Sequence, residues 1–283
     1  MALRDNLHTH LTHLVRDRDP YLATEGHFYV QSYIQQQFEQ WGEVTTHEFT
    51  RAGRVHRNWV LNLPGQAHQS RRSLPLILIG AHYDAVPGSP GADDNASGVA
   101  ALLELARLFA AEPARHPIQL VAFDLEELGL IGSRAYAMQL KQQGQTLRLM
   151  LSLEMLGYRD RTPNSQCYPT GLRYFYPNRG DFIALVGNLP TIPDLLHLRR
   201  SLHRVGKVPC EWLPAGQRGV LVPETRQSDH AAFWDQGYRA LMVTDTAFMR
   251  NPHYHKSSDR LETLDLDFIV GICEGLAHGL RSL

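Results

Sequence analysis

Histidine and acidic side chains stand directly after several apolar runs of the chain. His82 lies two residues past the run LPLILIG (74–80), and Asp84 follows at i+2, so in extended backbone both side chains point to the same face. A metal-bound imidazole usually donates its other ring N–H to a carboxylate. The spacing is therefore typical of a metal ligand with a supporting carboxylate, and an ordinary polar loop is the alternative for the pair alone.

Two carboxylates are adjacent in the glycine-bounded segment GADDNASG (91–98), just before a predicted helix. Either Asp93 or Asp94 could serve as a helix N-cap, the commonest role of aspartate at such a place. Adjacent carboxylates repel each other, however, unless a cation lies among them, and one carboxylate can bridge two dications. The segment alone leaves both the capping and the metal-bridging interpretation open.

A second acidic cluster, DLEE (124–127), follows the apolar run 118–123. Because that run must be buried, a purely solvated charge run is less favourable here than usual. The neighbouring Glu126 and Glu127 suggest a division of labour, in which one ligates metal and the other transfers protons.

Further candidates come later in the chain. Glu154 follows the run LMLSL (149–153), and Tyr254 with His255 adds a phenol and an imidazole. Two histidines and three carboxylates in predicted loops match the mixed nitrogen and oxygen ligation that zinc accepts, and oxygen bridging is typical of paired-metal hydrolases. The three cysteines show no CxxC spacing and are expected to be reduced thiols.

The elements that must position these residues alternate between strands and helices. Apolar runs predict strands at 58–63, 74–80, 118–123, 147–153 and 240–244, and helical stripes predict helices at 27–41, 96–110 and 133–143. The alternation predicts an α/β fold: a single domain over residues 1–283 with a mixed, largely parallel central sheet and helices on both faces. Ligands bind at the carboxyl ends of such strands, where the candidate residues lie.

Residues 159–222 differ in composition, with many Pro, Gly, Asn and aromatic residues. They predict an elaborated loop region over the site, with a helix around 192–204. The preference for a substrate side chain would depend on a pocket built from such loops, including 172–181 and 212–222.

Composition limits the function classes. The chain has 283 residues and a formal net charge of −1, which gives no whole-chain electrostatic reason to bind nucleic acid or an anionic membrane. The expected partner is a peptide or a small substrate derived from an amino acid. Residues 1–19 carry several charges and no apolar core of about 7–15 residues, so they do not resemble a signal peptide. With no run of ~20 apolar residues either, cytoplasmic residence is expected unless a leader has been removed.

Five motifs occur in an order that resembles a known family: GAHYDAVPGSPGADDNASG (80–98), FDLEELGLIGS (123–133), SLEMLGY (152–158), SDHAAFWDQG (228–237) and YHKSSDRLETLD (254–265). The family is that of the zinc-dependent aminopeptidases, which includes bacterial leucyl aminopeptidases, glutamate carboxypeptidase and, more distantly, glutaminyl cyclases. The match runs from about residue 25 to the C-terminus. The resemblance implies a zinc exopeptidase-like fold.

The resemblance also implies roles for individual residues. His82 and Glu154 would bind one zinc, Glu127 and His255 the other, and Asp94 would bridge both. The resemblance also implies a cis peptide bond between Asp94 and Asn95, which would aim the bridging carboxylate at both metals. Glu126 would be the general base, and Tyr254 would steady the oxyanion. Asp84 and Asp229 would support the ligands, whereas spacing assigns no role to His230. The resemblance implies two zinc ions. Many members have Asp where Glu154 stands, and the longer side chain could alter zinc occupancy, so one ion is the alternative.

The expected function is that of a metallo-aminopeptidase that hydrolyses N-terminal residues from peptides. A single-zinc glutaminyl-peptide cyclotransferase, which closes an N-terminal glutamine on itself, is the alternative in another reaction class. A non-catalytic binding module on the same fold is a third interpretation, but every ligand position carries a metal-competent residue and Glu126 is present. Oligomeric state does not follow from the sequence.

Overall fold

A mixed eight-stranded sheet forms the centre of the molecule, in the strand order β1-β2-β4-β3-β5-β8-β6-β7. The computed structural model describes residues 2–66, 74–169 and 171–283. The strands are β1 Glu43–Arg51, β2 Arg54–Leu63, β3 Leu76–His82, β4 Ile118–Phe123, β5 Leu147–Glu154, β6 Ile183–Gly187, β7 Cys210–Pro214 and β8 Ala240–Thr244. Strands β4, β3, β5 and β8 are parallel neighbours, as are β6 and β7. Strands β1, β2 and β6 join the sheet by antiparallel pairing.

Helices cover both faces of this sheet. They are α1 Ala2–Leu14, α2 Thr24–Glu39, α3 Gly98–Ala111, α4 Ile131–Gln142, α5 Ile192–Ser201, α6 His230–Asp235 and α7 Leu266–Arg281. Helices α1, α2, α3, α5 and α7 pack on one face in the larger apolar core, and α4 and α6 pack on the other. Because the sheet is covered on both sides, its central strands are continuous apolar runs, and all six residues of β4 are buried.

Helix α3 shows how the sequence produces this packing. Its apolar residues Val99, Leu102, Ala106 and Phe109 recur at helical spacing, and all four are buried against the sheet. Fully burying a side chain such as Leu102 contributes ~1.5–3 kcal/mol. The loop before α3 is thereby anchored at the carboxyl edge of β3.

The predicted fold class is confirmed: the chain forms one α/β domain around a mixed, mostly parallel sheet. The predicted strands 118–123 and 240–244 have the observed bounds. The helix expected at 27–41 begins and ends earlier, at Thr24–Glu39. Across the three described ranges, no helix combines the length and apolar character that a membrane span requires.

Residues 159–222 contain more regular structure than their composition suggests. Besides helix α5, they contribute β6 and β7, which extend the sheet beyond β8. All five residues of β6 are buried, yet the strand is too short for its apolar run to stand out among the flanking prolines and glycines. The cysteines are free thiols, as expected, with Cys167 exposed and Cys210 and Cys273 buried.

Candidate active site

The predicted metal ligands converge at one edge of the sheet. His82 ends β3, Glu154 ends β5, and Glu127 lies in the turn after β4. These three strands are parallel neighbours, so their carboxyl ends meet. Asp94 comes from the loop before α3, and His255 from the loop between β8 and α7. The structure therefore brings together all five residues.

Asp94 lies at the centre of this group. Its Oδ1 is 3.3 Å from His82 Nε2, and its Oδ2 is 3.1 Å from His255 Nε2. His82 Nε2 is also 3.5 Å from Glu154 Oε1, and His255 Nε2 is 3.2 Å from Glu127 Oε2. The site thus consists of two half-sites, each with one imidazole and one glutamate, which share Asp94.

Unpartnered buried atoms show that this group fits a metal. Among the residues that the structure describes, both ring nitrogens of His82 and Oε1 of Glu127 are buried without a hydrogen-bond partner. Leaving such a group unsatisfied costs ~1–3 kcal/mol. Nitrogen and carboxylate oxygen are ligands that zinc accepts, and a shared carboxylate can bridge two ions. The residues therefore fit a divalent cation such as zinc.

Burial and like charges raise the pKa of the glutamates. Burial raises the pKa of Glu126 well above its usual value and raises that of Glu154. Burial, with the charge of Asp94, raises the pKa of Glu127 to about 7. Burial would also raise the pKa of Asp94, but the nearby imidazoles of His255 and His82 lower it below the usual range. Cations at this place would relieve the repulsion among the carboxylates.

Asp84 holds the acidic turn that carries both glutamates. Its Oδ1 accepts the backbone N–H of Glu126 and its Oδ2 that of Glu127, each at 3.1 Å. Asp84 Oδ1 also lies 3.4 Å from His82 Nδ1, longer than an ordinary hydrogen bond. The two glutamates have different neighbours: a Glu126 oxygen lies within 4.8 Å of ligand atoms of His82 and Glu154, whereas a Glu127 oxygen lies within 4.8 Å of those of His82 and Asp94. Glu127 also contacts His255 at 3.2 Å.

Two residues outside the predicted set shape the loop of Asp94. Asp259 accepts the backbone N–H groups of Asp93 at 2.9 Å and of Asp94 at 3.1 Å. The guanidinium of Arg18, which is 1% exposed, donates to the carbonyl oxygens of Gly91 at 2.9 Å and Asp94 at 3.1 Å. Gly91 has φ +58, and a Cβ there would meet the Asp94 carbonyl oxygen at 2.2 Å. The loop therefore closes tightly around the guanidinium.

Sequence reasoning missed Arg18 because it stands in a charged N-terminal stretch without any motif. It also missed Ser228, whose hydroxyl donates to Glu154 Oε2 at 2.7 Å. A third omission is Asp124, which is fully buried and accepts from His27 at 2.8 Å and from His56 at 3.0 Å. Asp124 ties α2 and β2 to the start of the acidic turn. The peptide bond between residues 94 and 95 is cis, as the resemblance implied.

The remaining predicted residues lie around the two half-sites. Tyr254 stacks on the His255 ring with centroids 3.7 Å apart. Asp229 is buried beside Glu154 and Glu126, and burial raises its pKa to about 7; within the described ranges its oxygens have no hydrogen-bond partner. His230 instead turns away: its Nε2 donates to the Thr225 carbonyl oxygen at 2.8 Å.

His230 is a structural residue in this arrangement. Its ring meets Trp234 edge-on, with centroids 4.3 Å apart. Burial lowers its pKa to about 3, so the ring is neutral at ordinary pH. The hydrogen bond to Thr225 holds the short turn Pro223–Arg226 against α6.

A pocket extends from the half-site of Glu154 across β8, β6 and β7, with about 840 Å³ of empty space including its open mouth. Its walls are mainly apolar, formed by Phe182, Ala184, Val186, Leu213, Met242 and Phe248. Tyr254 also lines the pocket, together with residues 168, 169, 172 and 176 and residues 222, 224, 225 and 227. Such a pocket can receive a substrate side chain while the main chain lies at the half-sites.

Comparisons with known proteins identify a similar family and a similar fold. Residues 58–180 match the model of peptidase family M28. An Escherichia coli protein, the uncharacterized protein YfbL, is 38% identical over 216 residues, which are 71% of this chain. The match covers 65% of that protein, so this chain spans a little under two thirds of the relative's length.

Two solved structures share the fold. The LapA aminopeptidase of Legionella pneumophila superposes with a TM-score of 0.75 and 22% identity, covering 99% of this chain and 72% of that one. The glutaminyl cyclase of Bacteroides thetaiotaomicron, bound to N-acetylhistamine, gives a TM-score of 0.69 and 16% identity, covering 99% and 98%. Together with the five motifs, the matches to peptidase family M28 and to the Escherichia coli protein support a zinc aminopeptidase-like family, and the two solved structures show the shared fold.

Proposed function

We propose that the chain is a zinc-dependent aminopeptidase that removes N-terminal residues from peptides. The observation that carries the proposal is the arrangement about Asp94, whose two oxygens lie 3.3 Å from His82 Nε2 and 3.1 Å from His255 Nε2. A carboxylate shared by two half-sites, each with an imidazole and a glutamate, suits a pair of zinc ions.

His82 and Glu154 would hold one ion, Glu127 and His255 the other, and Asp94 both. When bound, such ions polarise a carbonyl oxygen and lower the pKa of a water molecule. Glu126 would then be the general base, since it lies near His82 and Glu154 and burial raises its pKa well above the usual value, which makes its carboxylate a stronger proton acceptor. Glu126 would take a proton from the attacking water and return it to the leaving amine.

Tyr254 would stabilise the oxyanion that forms when water attacks the scissile carbonyl. Burial raises the pKa of its phenol, which therefore remains a donor over the whole range in which enzymes work. The stacking on His255 fixes the ring at the boundary between the half-sites and the pocket.

A glutaminyl-peptide cyclotransferase is the second candidate, favoured by the structural match to a glutaminyl cyclase along 98% of that chain. The second half-site argues against it, because His255 Nε2 lies 3.1 Å from Asp94 and 3.2 Å from Glu127, which gives a second ion three ligands. We therefore place hydrolysis first.

A panel of aminoacyl-anilides and one N-terminal glutaminyl peptide tests the proposal. We expect the zinc-loaded protein to release the anilide from substrates with a free α-amine, and to release intact glutamine from the peptide. Conversion of the glutaminyl peptide to its cyclised form, with no anilide released, would establish the second candidate instead. Inertness towards every member of the panel would contradict both.

A further inference from the structure

The register of the sheet places a second carboxylate opposite Glu154. Glu154 of β5 pairs with Thr244 of β8, Thr244 pairs with Ala184 of β6, and Ala184 pairs with Glu211 of β7. Paired residues point to the same face of a sheet, so these four side chains form one row. All four line the pocket, with Glu154 at one end and Glu211 at the other.

The next row in the same register is apolar. Met242 pairs with Val186, and Val186 pairs with Leu213, on the same face as the first row. These residues also line the pocket. A ligand that extends from Glu154 to Glu211 would therefore lie along an apolar strip and end at a carboxylate.

The carboxylate of Glu211 is available to such a ligand. Two tyrosines beside it are engaged elsewhere, because Tyr176 donates to the Trp212 carbonyl oxygen at 2.9 Å and Tyr168 to that of Pro177 at 2.6 Å. Arg199 donates to the carbonyl oxygen of Cys210 at 2.9 Å. The lining residues that the structure describes include no lysine or arginine.

Glu224 adds negative charge to the lining of the same pocket. It belongs to the turn that His230 holds through Thr225. The neighbouring Arg226 forms an ion pair with Asp235 at 2.8 Å and so does not offset this charge. A half-buried pocket that has apolar walls and two carboxylates besides Glu154 attracts a cation on an aliphatic stem.

The length of the row fits the side chain of either lysine or arginine. Three strand spacings span about 14 Å. A substrate main chain in contact with the Glu154 end occupies ~4 Å of this distance. The remaining ~10 Å matches an extended lysine or arginine side chain of ~6–7 Å, built from ordinary bond lengths, followed by a charged hydrogen bond of ~2.8 Å.

We infer that the pocket selects substrates whose N-terminal residue is lysine or arginine, and that Glu211 is the specificity-determining residue. The inference rests on the proposed aminopeptidase function. Shorter apolar side chains would leave the half-buried Glu211 without its cation, and a site built for a polar group discriminates against an analogue that lacks it.

The test compares lysyl-anilide with norleucyl-anilide, which has the same stem without the amine. We expect kcat/KM for lysine to exceed that for norleucine by about 10- to 100-fold, the worth of a hydrogen bond between charged groups. Glu211→Gln should reduce this ratio to near unity. Glu43→Gln, an exposed glutamate on the opposite edge strand, is the matched control and should leave the ratio unchanged.

The possible failures are distinguishable. Release of leucyl- or norleucyl-anilide at rates equal to or above those of lysyl-anilide would overturn the inference and leave the proposed function standing. No release from any anilide would overturn the proposed function. An unchanged ratio in Glu211→Gln would show that another group recognises the side chain.

Binding of free amino acids gives a readout that needs no turnover. By calorimetry, the wild-type protein should bind L-lysine about 10- to 100-fold more tightly than L-norleucine, for the same physical reason. Equal affinities would overturn the inference even if Glu211→Gln proved unstable, because this comparison uses the wild-type chain alone.

Discussion

Replacing the two adjacent glutamates one at a time separates proton transfer from metal binding. The acidic turn sends Glu126 towards His82 and Glu154, and Glu127 into contact with His255 at 3.2 Å. Glutamine preserves the size of the side chain but cannot accept a proton in the same way. If Glu126 is the base, Glu126→Gln should keep the full metal content while kcat falls by roughly 10²- to 10⁴-fold with little change in KM.

This loss corresponds to about 3–5 kcal/mol of transition-state stabilisation. Glu127→Gln removes an anionic ligand from the half-site of His255, so its metal content should fall and its activity should partly return with excess zinc. Steady-state kinetics on one anilide, with metal analysis of the same samples, measures both effects. A Glu126 variant that lost one equivalent of zinc, beside a Glu127 variant that kept both, would reverse the assignment.

Three further variants test the surroundings of the site. Asp84→Asn keeps one acceptor for the two backbone N–H groups of the acidic turn, so metal affinity or kcat should fall about 10- to 100-fold, and wild-type values for both would contradict its role. The lysine in Arg18→Lys cannot reproduce the hydrogen bonds of the guanidinium to several backbone carbonyl oxygens, so urea unfolding should show that the free energy of unfolding falls by ~3 kcal/mol or more. A decrease below ~1 kcal/mol would contradict this role. Since burial lowers the pKa of His230 to about 3, the stability that its neutral ring provides is complete above about pH 6.5 and is lost as the pH falls towards 3, by up to ~1.4 kcal/mol per pH unit. In His230→Gln the metal-free protein should lose this slope, and parallel pH profiles of the two proteins would contradict it.

The convergence of the proposed metal ligands could be predicted from the sequence because parallel strands end at a common edge. His82 and Glu154 follow apolar runs long enough to be recognised as strands, so their convergence followed from the class of the fold. The same rule overlooked Glu211. Strand β7 runs opposite to β5 and β8, so the residue that reaches this edge stands at the beginning of its strand.

Other features were missed because the contacts that create them are distant in the sequence. Arg18 bonds to a carbonyl oxygen 76 positions away, and nothing in its own neighbourhood distinguishes it from a surface arginine. Strand β1 lacks an apolar alternation, because it is an edge strand with mostly exposed side chains. Helix α7 contains three glycines, which weaken any helix prediction, yet its apolar face is buried in the larger core.

The metal dependence of peptide hydrolysis tests the proposed function most directly. The protein would be dialysed against a strong chelator, shown to be metal-free and then titrated with zinc while anilide release and thermal unfolding are followed. We expect activity to vanish and to return in full at two zinc ions per chain, with a higher unfolding temperature because the ions bind only the folded state. Undiminished activity in the metal-free protein would contradict the assignment of the site around Asp94.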